Sequence, residues 1–426
     1  MKKIIGLLLK PLNPVDLEFG SRLPRDPYNF FERIKVIIIG YKTKDKNSFL
    51  YILNFLKYLI IRFLVLIYLP IIILFKIFGY KFVVVNYWQF GAFAQQMSFL
   101  IKDVSLKKNK KYLVYVPNIS VVNIGLLNIF KKQIQIISNT LFCILLYPLF
   151  HSELLRKSII EYDEHYSKTQ TYKINQKILN FDKKYFDFEM DVKKKLKDYF
   201  FELFNFNYTD KFAAINLRTG SFYKDYEYNL RNSNPKKYLL LINELRKKGF
   251  KIICFNNDIK EFQNLNNVMI FPKELKFRKD ELEIFILKEA NLFITNMFGP
   301  KNVASVLGTP SLVCDTFPYS SIIPYNEKDV TIPKIIEKNK IKLSFKEILN
   351  NGYFHSLKKE ENINLIENTS EDILDGLNQI LDKSKINKNY ANNRIFKEIM
   401  EKEISCIDGL GTISEIFLEK NKYLLD

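Results

Sequence analysis

Ala213-Ala214-Ile215-Asn216-Leu217-Arg218-Thr219-Gly220 is the stretch whose residue types are best suited to chemistry. Its apolar part suits a buried parallel strand, and the carboxyl end of that strand would carry a guanidinium beside an unhindered glycine. An arginine fork matches two phosphate oxygens at once, and Thr219 and Gly220 leave room for close approach, so the pairing points to an anion. The bland alternative is a surface arginine that ends a strand. A second stretch, Thr295-Asn296-Met297-Phe298-Gly299-Pro300-Lys301-Asn302, reads as a strand-to-helix turn in which Gly299 permits a tight backbone and Pro300 opens the helix. The amides of Lys301, Asn302 and Val303 would face the same anion, with Thr295 or Asn296 donating from the side chain. A plain α/β turn would use the same residues. Asn257 and Asp258 close another apolar run and are ordinary turn formers. Arg231-Asn232, in the loop before the next helical segment, could reach a ligand.

The surrounding pattern supplies the elements to hold these groups. Asn234-Pro235 gives an N-cap followed by proline, Tyr238, Leu239, Leu241, Ile242 and Leu245 recur on one face, and Gly249 closes the segment. Phe250 to Phe255, Val268 to Phe271, Leu292 to Thr295 and Ser311 to Cys314 read as strands, with helical Asp280 to Ala290 and Asn302 to Leu307 between them. Such alternation predicts a parallel sheet. Nearer the amino terminus, strand Lys81 to Asn86, a turn at Phe90-Gly91-Ala92 and helical Gln95 to Lys102 are followed by strands Tyr112 to Pro117 and Gln133 to Ile137, which suits a smaller α/β domain. Val192, Leu196, Tyr199, Phe200, Leu203 and Phe204 fall at helical spacing as a core stripe. Ser344 with Glu347 and Thr369 with Asp372 are capping boxes for two later helices.

Taken together, Arg218, Asn257-Asp258 and the Thr295 to Asn302 turn resemble the donor-site motifs of fucosyltransferase-like GT-B glycosyltransferases. The chain is more similar still to a bacterial glycosyltransferase family of surface-polysaccharide loci. That likeness extends to Asp26-Pro27-Tyr28-Asn29-Phe30, Phe90-Gly91-Ala92, Phe317-Pro318-Tyr319-Ser320-Ser321, Glu367-Asn368-Thr369-Ser370-Glu371 and Gly411-Thr412-Ile413-Ser414. It implies an α/β, GT-B-like fold of two Rossmann-like domains facing a cleft, with a leader and hydrophobic segment over 1–80, an acceptor-side domain and linker over 81–207, and a nucleotide-sugar domain with terminal helices over 208–426. Ile413 to Leu418 is expected to cross back over the cleft.

The activity implied is transfer of a hexosyl or deoxyhexosyl group from a nucleotide-sugar to a glycan acceptor, lipid-linked on this reading, without a metal ion or other cofactor. Arg218 would stabilise the leaving group. Donor binding would involve Arg218, Gly220, Asn257, Asp258, Thr295, Asn296, Gly299, Lys301 and Asn302, with Arg231, Asn232 and Gly91 as further donor or acceptor contacts. The sequence departs from the fucosyltransferase pattern at Ser221, where that pattern has aspartate, so neither fucose nor GDP follows. No Asp-x-Asp stands at a strand end, and His151, His165 and His355 are scattered. For the base, Asp103, Asp163, Glu164 and His165 stay open. The rival class is a non-catalytic, membrane-bound scaffold of a polysaccharide assembly complex.

At 426 residues the chain is long enough for two domains or more. The net charge of +19 accompanies an abundance of Lys, Asn, Ile and Phe that coding bias would produce; the other use of the charge is attraction to an anionic membrane surface. Nothing in the pattern supports nucleic acid as a partner. Phe49 to Phe78 is strongly apolar, but Arg62, Lys76 and Pro70 interrupt it too closely for a comfortable span. An in-plane or re-entrant membrane helix fits better, with a buried core helix as the alternative. The expected location is the cytoplasmic face of the inner membrane, peripheral or monotopic. Cys143, Cys254, Cys314 and Cys406 lie far apart in apolar runs and read as buried thiols of a reducing compartment.

Overall fold

A computed structural model describes residues 80–106, 111–150, 185–220, 230–263, 265–275, 279–297, 299–319, 322–354, 357, 362–382, 390–400 and 409–426, with single helical positions between 52 and 79. The leader with its Asp26 to Phe30 motif, the carboxylates Asp163 and Glu164, the three histidines, Phe298, Ser320-Ser321 and Cys406 lie outside the described residues. The chain divides into two compact units, one of residues 1–88, 100–122 and 131–167, the other of residues 89–99, 123–130 and 168–426.

The first unit carries a three-stranded parallel sheet in the order β1 (Tyr80–Val84), β2 (Lys111–Tyr115), β3 (Gln135–Ile137). Each expected strand is present, shifted by one or two residues. Phe82, Val83, Val84 and Val114 are buried, as β-branched and aromatic side chains on a covered sheet should be. In sequence the strands are followed by helices α1 (Phe90–Leu106), α2 (Ile124–Lys131) and α3 (Thr140–Phe150), of which residues 90–99 of α1 and 124–130 of α2 belong to the second unit. Cys143 on α3 is buried, and desolvation pushes its thiol up to about 12. Among the described residues no helix is long and apolar enough to cross a membrane.

The long carboxyl-terminal part of the second unit opens, among the described elements, with α4 (Met190–Phe204), whose Leu196, Phe200 and Phe204 turn inward as the periodicity predicts. Phe200 meets the rings of Phe212 and Phe285 at 5.5 and 6.0 Å, which fastens the helix to the sheet. Fully burying such a ring contributes roughly 1.5–3 kcal/mol. The sheet itself has seven strands, all parallel, made by β4 (Phe212–Asn216), β5 (Lys251–Cys254), β6 (Val268–Ile270), β7 (Leu292–Asn296), β8 (Ser311–Thr316), β9 (Val330–Pro333) and β13 (Thr412–Ile413). Its order is β13-β9-β8-β7-β4-β5-β6, so β4 lies between β5 and β7. The chain runs outward from β4 to β6, then returns to the other side of β4 to start again with β7. That reversal makes a topological switch point at the carboxyl ends of β4 and β7.

Helices α5 (Leu239–Lys247), α6 (Lys260–Gln263), α7 (Lys279–Glu289) and α8 (Gly299–Val306) connect the strands. Asn234 accepts from the Lys236 amide and Pro235 follows, but the first turn is a 3-10 turn before α5 begins. Both capping boxes form, Ser344 with Glu347 on α9 (Phe345–Asn350) and Thr369 with Asp372 on α10 (Ser370–Leu381). The sequence does not signal a small antiparallel sheet made of β10 (Ile335–Lys338), β11 (Ile341–Lys342) and β12 (Ile363–Ile366), in the order β11-β10-β12. The late Ile413 to Leu418 segment divides between β13, which pairs with β9, and α12 (Glu415–Lys420), which packs on α10 and on α11 (Ala391–Ile399), all inside this unit. Gly411 allows that arrival, because a Cβ there would stand 2.9 Å from the carbonyl oxygens of Asn326 and Asp329.

Candidate functional site

Beyond β4 the chain continues through Leu217, Arg218, Thr219 and Gly220, and two buried asparagines at neighbouring strand ends hold it in place. The Asn256 side chain, just past β5, accepts from the Leu217 amide at 2.6 Å and donates to the Leu217 carbonyl at 2.7 Å. Asn296, the last residue of β7, does the same for Arg218, accepting from its amide at 2.8 Å and donating to its carbonyl at 3.0 Å. Its amide also donates to the Arg231 carbonyl at 2.9 Å and to Ser233 Oγ at 3.0 Å. The Ser233 amide closes the ring on the Arg218 carbonyl at 3.0 Å. One side chain therefore ties the segment after β4, the returning segment 231–233 and the β7 end together.

This arrangement gives two residues a role different from the one their position suggested. Asn296 is fully buried and its amide is committed to backbone and hydroxyl groups of the protein. Thr295 is also fully buried, and its hydroxyl donates to the Asn216 carbonyl at 2.8 Å. Both act as positioning residues. Replacing Asn296 by alanine is expected to cost about 3 kcal/mol in urea unfolding, since it leaves several buried polar groups without partners. A cost below about 1 kcal/mol would remove the clamp from the account.

The remaining expected residues lie past the ends of β4 and β5 and in the returning segment 231–233. Arg218 is 6% exposed. Thr219 Oγ1 lies 3.4 Å from Asp258 Oδ2, joining the ends of β4 and β5, while Asn257 accepts from Gln263 through its carbonyl. A Cβ at Gly220 would face the Asn232 side-chain amide at 3.7 Å, so Gly220 and Asn232 are neighbours. Lys334, unforeseen from sequence, donates to the Asn232 carbonyl at 2.6 Å. Burial lowers the pKa of its ammonium, opposed by Asp315 and Glu367. Asp315 stands at φ +51 with its amide and carboxylate exchanging hydrogen bonds with Asn368 at 2.5 and 2.7 Å. Asn368 thereby fixes the backbone at Asp315, near the end of β8. Burial raises the pKa of Asp315, with Lys334 the main opposing influence.

On the other side of the switch point α8 starts at Gly299, three residues earlier than the periodicity predicts. Its amino terminus meets that of α1 backbone to backbone. A Cβ on Gly91 would lie 2.6 Å from Gly299 Cα and 2.7 Å from its carbonyl oxygen. Asn302 donates to Gln95 Oε1 at 3.2 Å, Gln95 donates to the Tyr325 hydroxyl, and the Tyr325 ring sits edge-on to Phe99. Gly91, Gly299 and Asn302 are thereby gathered into one rigid corner, with the first-turn amides of α8 beside the β7 end.

The inner face of α8 is anchored by Asp329. This carboxylate is fully buried, accepting from Ser305 Oγ at 2.6 Å and from the Ser311 amide at 2.8 Å. Lys301 is buried as well, and its ammonium lowers the Asp329 pKa rather than standing at the surface. Burial nevertheless dominates and carries the Asp329 pKa up to about 7. An unfolded aspartate titrates near about 3.9, so between roughly pH 4 and 7 the folded state holds a proton that the unfolded state has released. Stability from this group is full below that window and is lost as pH rises through it. In Asp329→Asn the melting temperature is expected to fall less than in the parent between pH 5 and pH 8. Parallel pH profiles would contradict this. Among the described residues no group of three or more His, Cys, Asp or Glu side chains is placed to hold a metal ion.

No protein-family profile matches the chain, and no curated protein does. Among solved structures it is similar over 71% of its length to 97% of a family 9 glycosyl transferase from Veillonella parvula, with 12% identity and a TM-score of 0.44. It is similar over 72% of its length to 99% of the ADP-heptose lps heptosyltransferase II of E. coli, at 12% identity and a TM-score of 0.43. A UDP-GlcNAc 2-epimerase from Methanocaldococcus jannaschii matches over 57% of this chain and 70% of its own, at 12% identity and a TM-score of 0.25. These likenesses are remote, and the reading of the site rests on its own residues.

Proposed function

We propose that the chain is a glycosyltransferase of the GT-B kind that binds the diphosphate of a nucleotide-sugar at the β4–β7 switch point and passes the sugar to a lipid-carried surface glycan. One observation carries this reading. Arg218 and the β7–α8 bend, 78 residues apart in sequence, are joined through Asn296 where the strand order reverses. Open parallel sheets bind their ligands at such a crevice. As the glycosidic bond breaks, negative charge grows on the departing diphosphate. The Arg218 guanidinium and the first-turn amides of α8 stand on a framework fixed beforehand, so they stabilise that charge with little reorganisation. On this reading no metal ion is needed for the leaving group. Asn257 and Asp258, past β5, are within the same rim and are suited to hydrogen-bond the nucleoside, while Gly220, Arg231 and Asn232 line the approach to the sugar.

The test is a thermal-shift panel of nucleoside diphosphates followed by a nucleotide-sugar hydrolysis assay. A ligand that binds only the folded state raises its apparent stability, by about 2.7 kcal/mol at a hundredfold excess over its dissociation constant. The expected result is stabilisation by at least one diphosphate and none by the parent nucleoside. A chain that ignores every diphosphate and hydrolyses no donor is not a transferase, and the scaffold reading would take its place.

A further inference from the structure

The first unit presents an apolar surface that the anion site does not account for. Among the described side chains of α3, Cys143 and Tyr147 are buried, while Leu141, Phe142, Ile144 and Leu145 face outward, with Leu141 63% and Phe142 57% exposed. The helix Thr140–Phe150 contains no charged residue at all. A helix that is apolar on its outward face as well as its inward one is unsuited to water. The described helical positions before β1 repeat the pattern. Leu56, Ile60, Phe63, Ile67, Ile71 and Leu74 recur at three- and four-residue steps and all are open, Phe63 to 71% and Ile67 to 63%. The Tyr68 hydroxyl donates to the Leu145 carbonyl, so the two helices adjoin and their outward faces form one patch.

Charge identifies what covers it. From Lys46 to Ser152 the sequence holds twelve lysines and arginines and a single carboxylate, Asp103, which is +11 of the whole chain's +19. None of these charges lies in the 89–99 or 123–130 segments, so all belong to the unit that carries the patch. A general coding bias toward lysine would spread the excess along the chain. Instead a surface rich in exposed Leu, Ile and Phe is combined with a stretch of the same unit, residues 46–152, whose charges are almost all cationic, the pairing that an anionic lipid bilayer satisfies: acyl chains for the apolar side chains, headgroup phosphates for the ammonium groups.

We infer that α3 and the helical segment before β1 together form a two-helix docking surface for an anionic lipid bilayer, with Leu141, Phe142 and Leu145 as inserted side chains. The in-plane segment expected over 49–78 is one half of it, and α3, of which the sequence singles out only Cys143, is the other. The surface does not depend on the transferase reading. A failure of either leaves the other standing.

The experiment is flotation of the full chain with vesicles of phosphatidylcholine alone and of phosphatidylcholine with phosphatidylglycerol, at low and high salt. Binding to the anionic vesicles is expected to be about tenfold stronger or more, and to weaken as salt screens the headgroups. The triple variant Leu141→Ser, Phe142→Ser, Leu145→Ser should lose about tenfold or more in binding with its circular dichroism unchanged, because the three side chains support no core. In a separate measurement, Phe142→Trp should add a fluorescence component that brominated lipids quench. Three results overturn the inference: a triple variant that binds as the parent does, emission at position 142 that brominated lipids leave untouched, or a parent dimer that the triple variant turns into a monomer, which would make the patch an interface between copies.

Discussion

Replacing Arg218 by alanine is expected to lower the turnover of sugar transfer about 10²–10³-fold, the usual effect of deleting one preorganised donor to a developing oxyanion. The strand-end framework should survive, because Asn296 and Asn256 hold this segment by its backbone and not by the Arg218 side chain. Arg218→Lys should recover only part of the rate: an ammonium is a point charge and cannot meet two phosphate oxygens in one plane. Steady-state kinetics of the three proteins, with nucleoside diphosphate affinity measured alongside, separates leaving-group stabilisation from a general loss of folding. If alanine and arginine turn over alike, Arg218 has no part in the chemistry.

Gly91→Ala is expected to be the most damaging single methyl that can be added near the site. The new carbon would lie 2.6 Å from Gly299 Cα and 2.7 Å from its carbonyl oxygen, and neither is a side chain that can swing away. Either α1 or α8 has to shift, at a cost of roughly 1–3 kcal/mol. A shift of α8 carries its first-turn amides away from Arg218, so diphosphate affinity should fall together with stability. The reverse substitution is milder. A Cβ on Gly299 would meet Gly91 N at 3.0 Å and nothing else closer than 3.6 Å, so Gly299→Ala should cost well under half as much. Equal effects in urea titrations of the two variants would show that the two helix ends are not in contact.

Much of this sheet is legible in the sequence because a parallel strand covered on both faces must be an apolar run, and β4, β5, β7 and β8 are such runs bounded by Asn, Gly or Pro. Their order then implies that a bend after the fourth strand stands beside the first, which is how Arg218 and the Thr295 to Asn302 turn can be brought together before any coordinates exist. What is not legible is the direction in which a polar side chain at a strand end turns. Asn257 and Asn296 look alike in sequence, yet Asn296 faces inward to bond Arg218, Arg231 and Ser233, two segments that no local period reports. Asn256, which carries the Leu217 clamp, is likewise indistinguishable in sequence from the turn formers Asn257 and Asp258 beside it. Helices α1 and α8 begin earlier than expected because Gly91 and Gly299 read as turn residues, whereas the structure needs them inside the first turn for close approach. The strands of the small antiparallel sheet and β13 run for two to four residues, too short for alternation to register.

The buried thiols have a use that their packing alone does not suggest. Cys143 belongs to the first unit, Cys254 and Cys314 to the second, and burial raises the pKa of all three. A maleimide therefore reacts with each only when its surroundings open. Pulsed alkylation read by peptide mass thus times the transient opening of the two halves separately, in the unmodified chain and without an introduced probe.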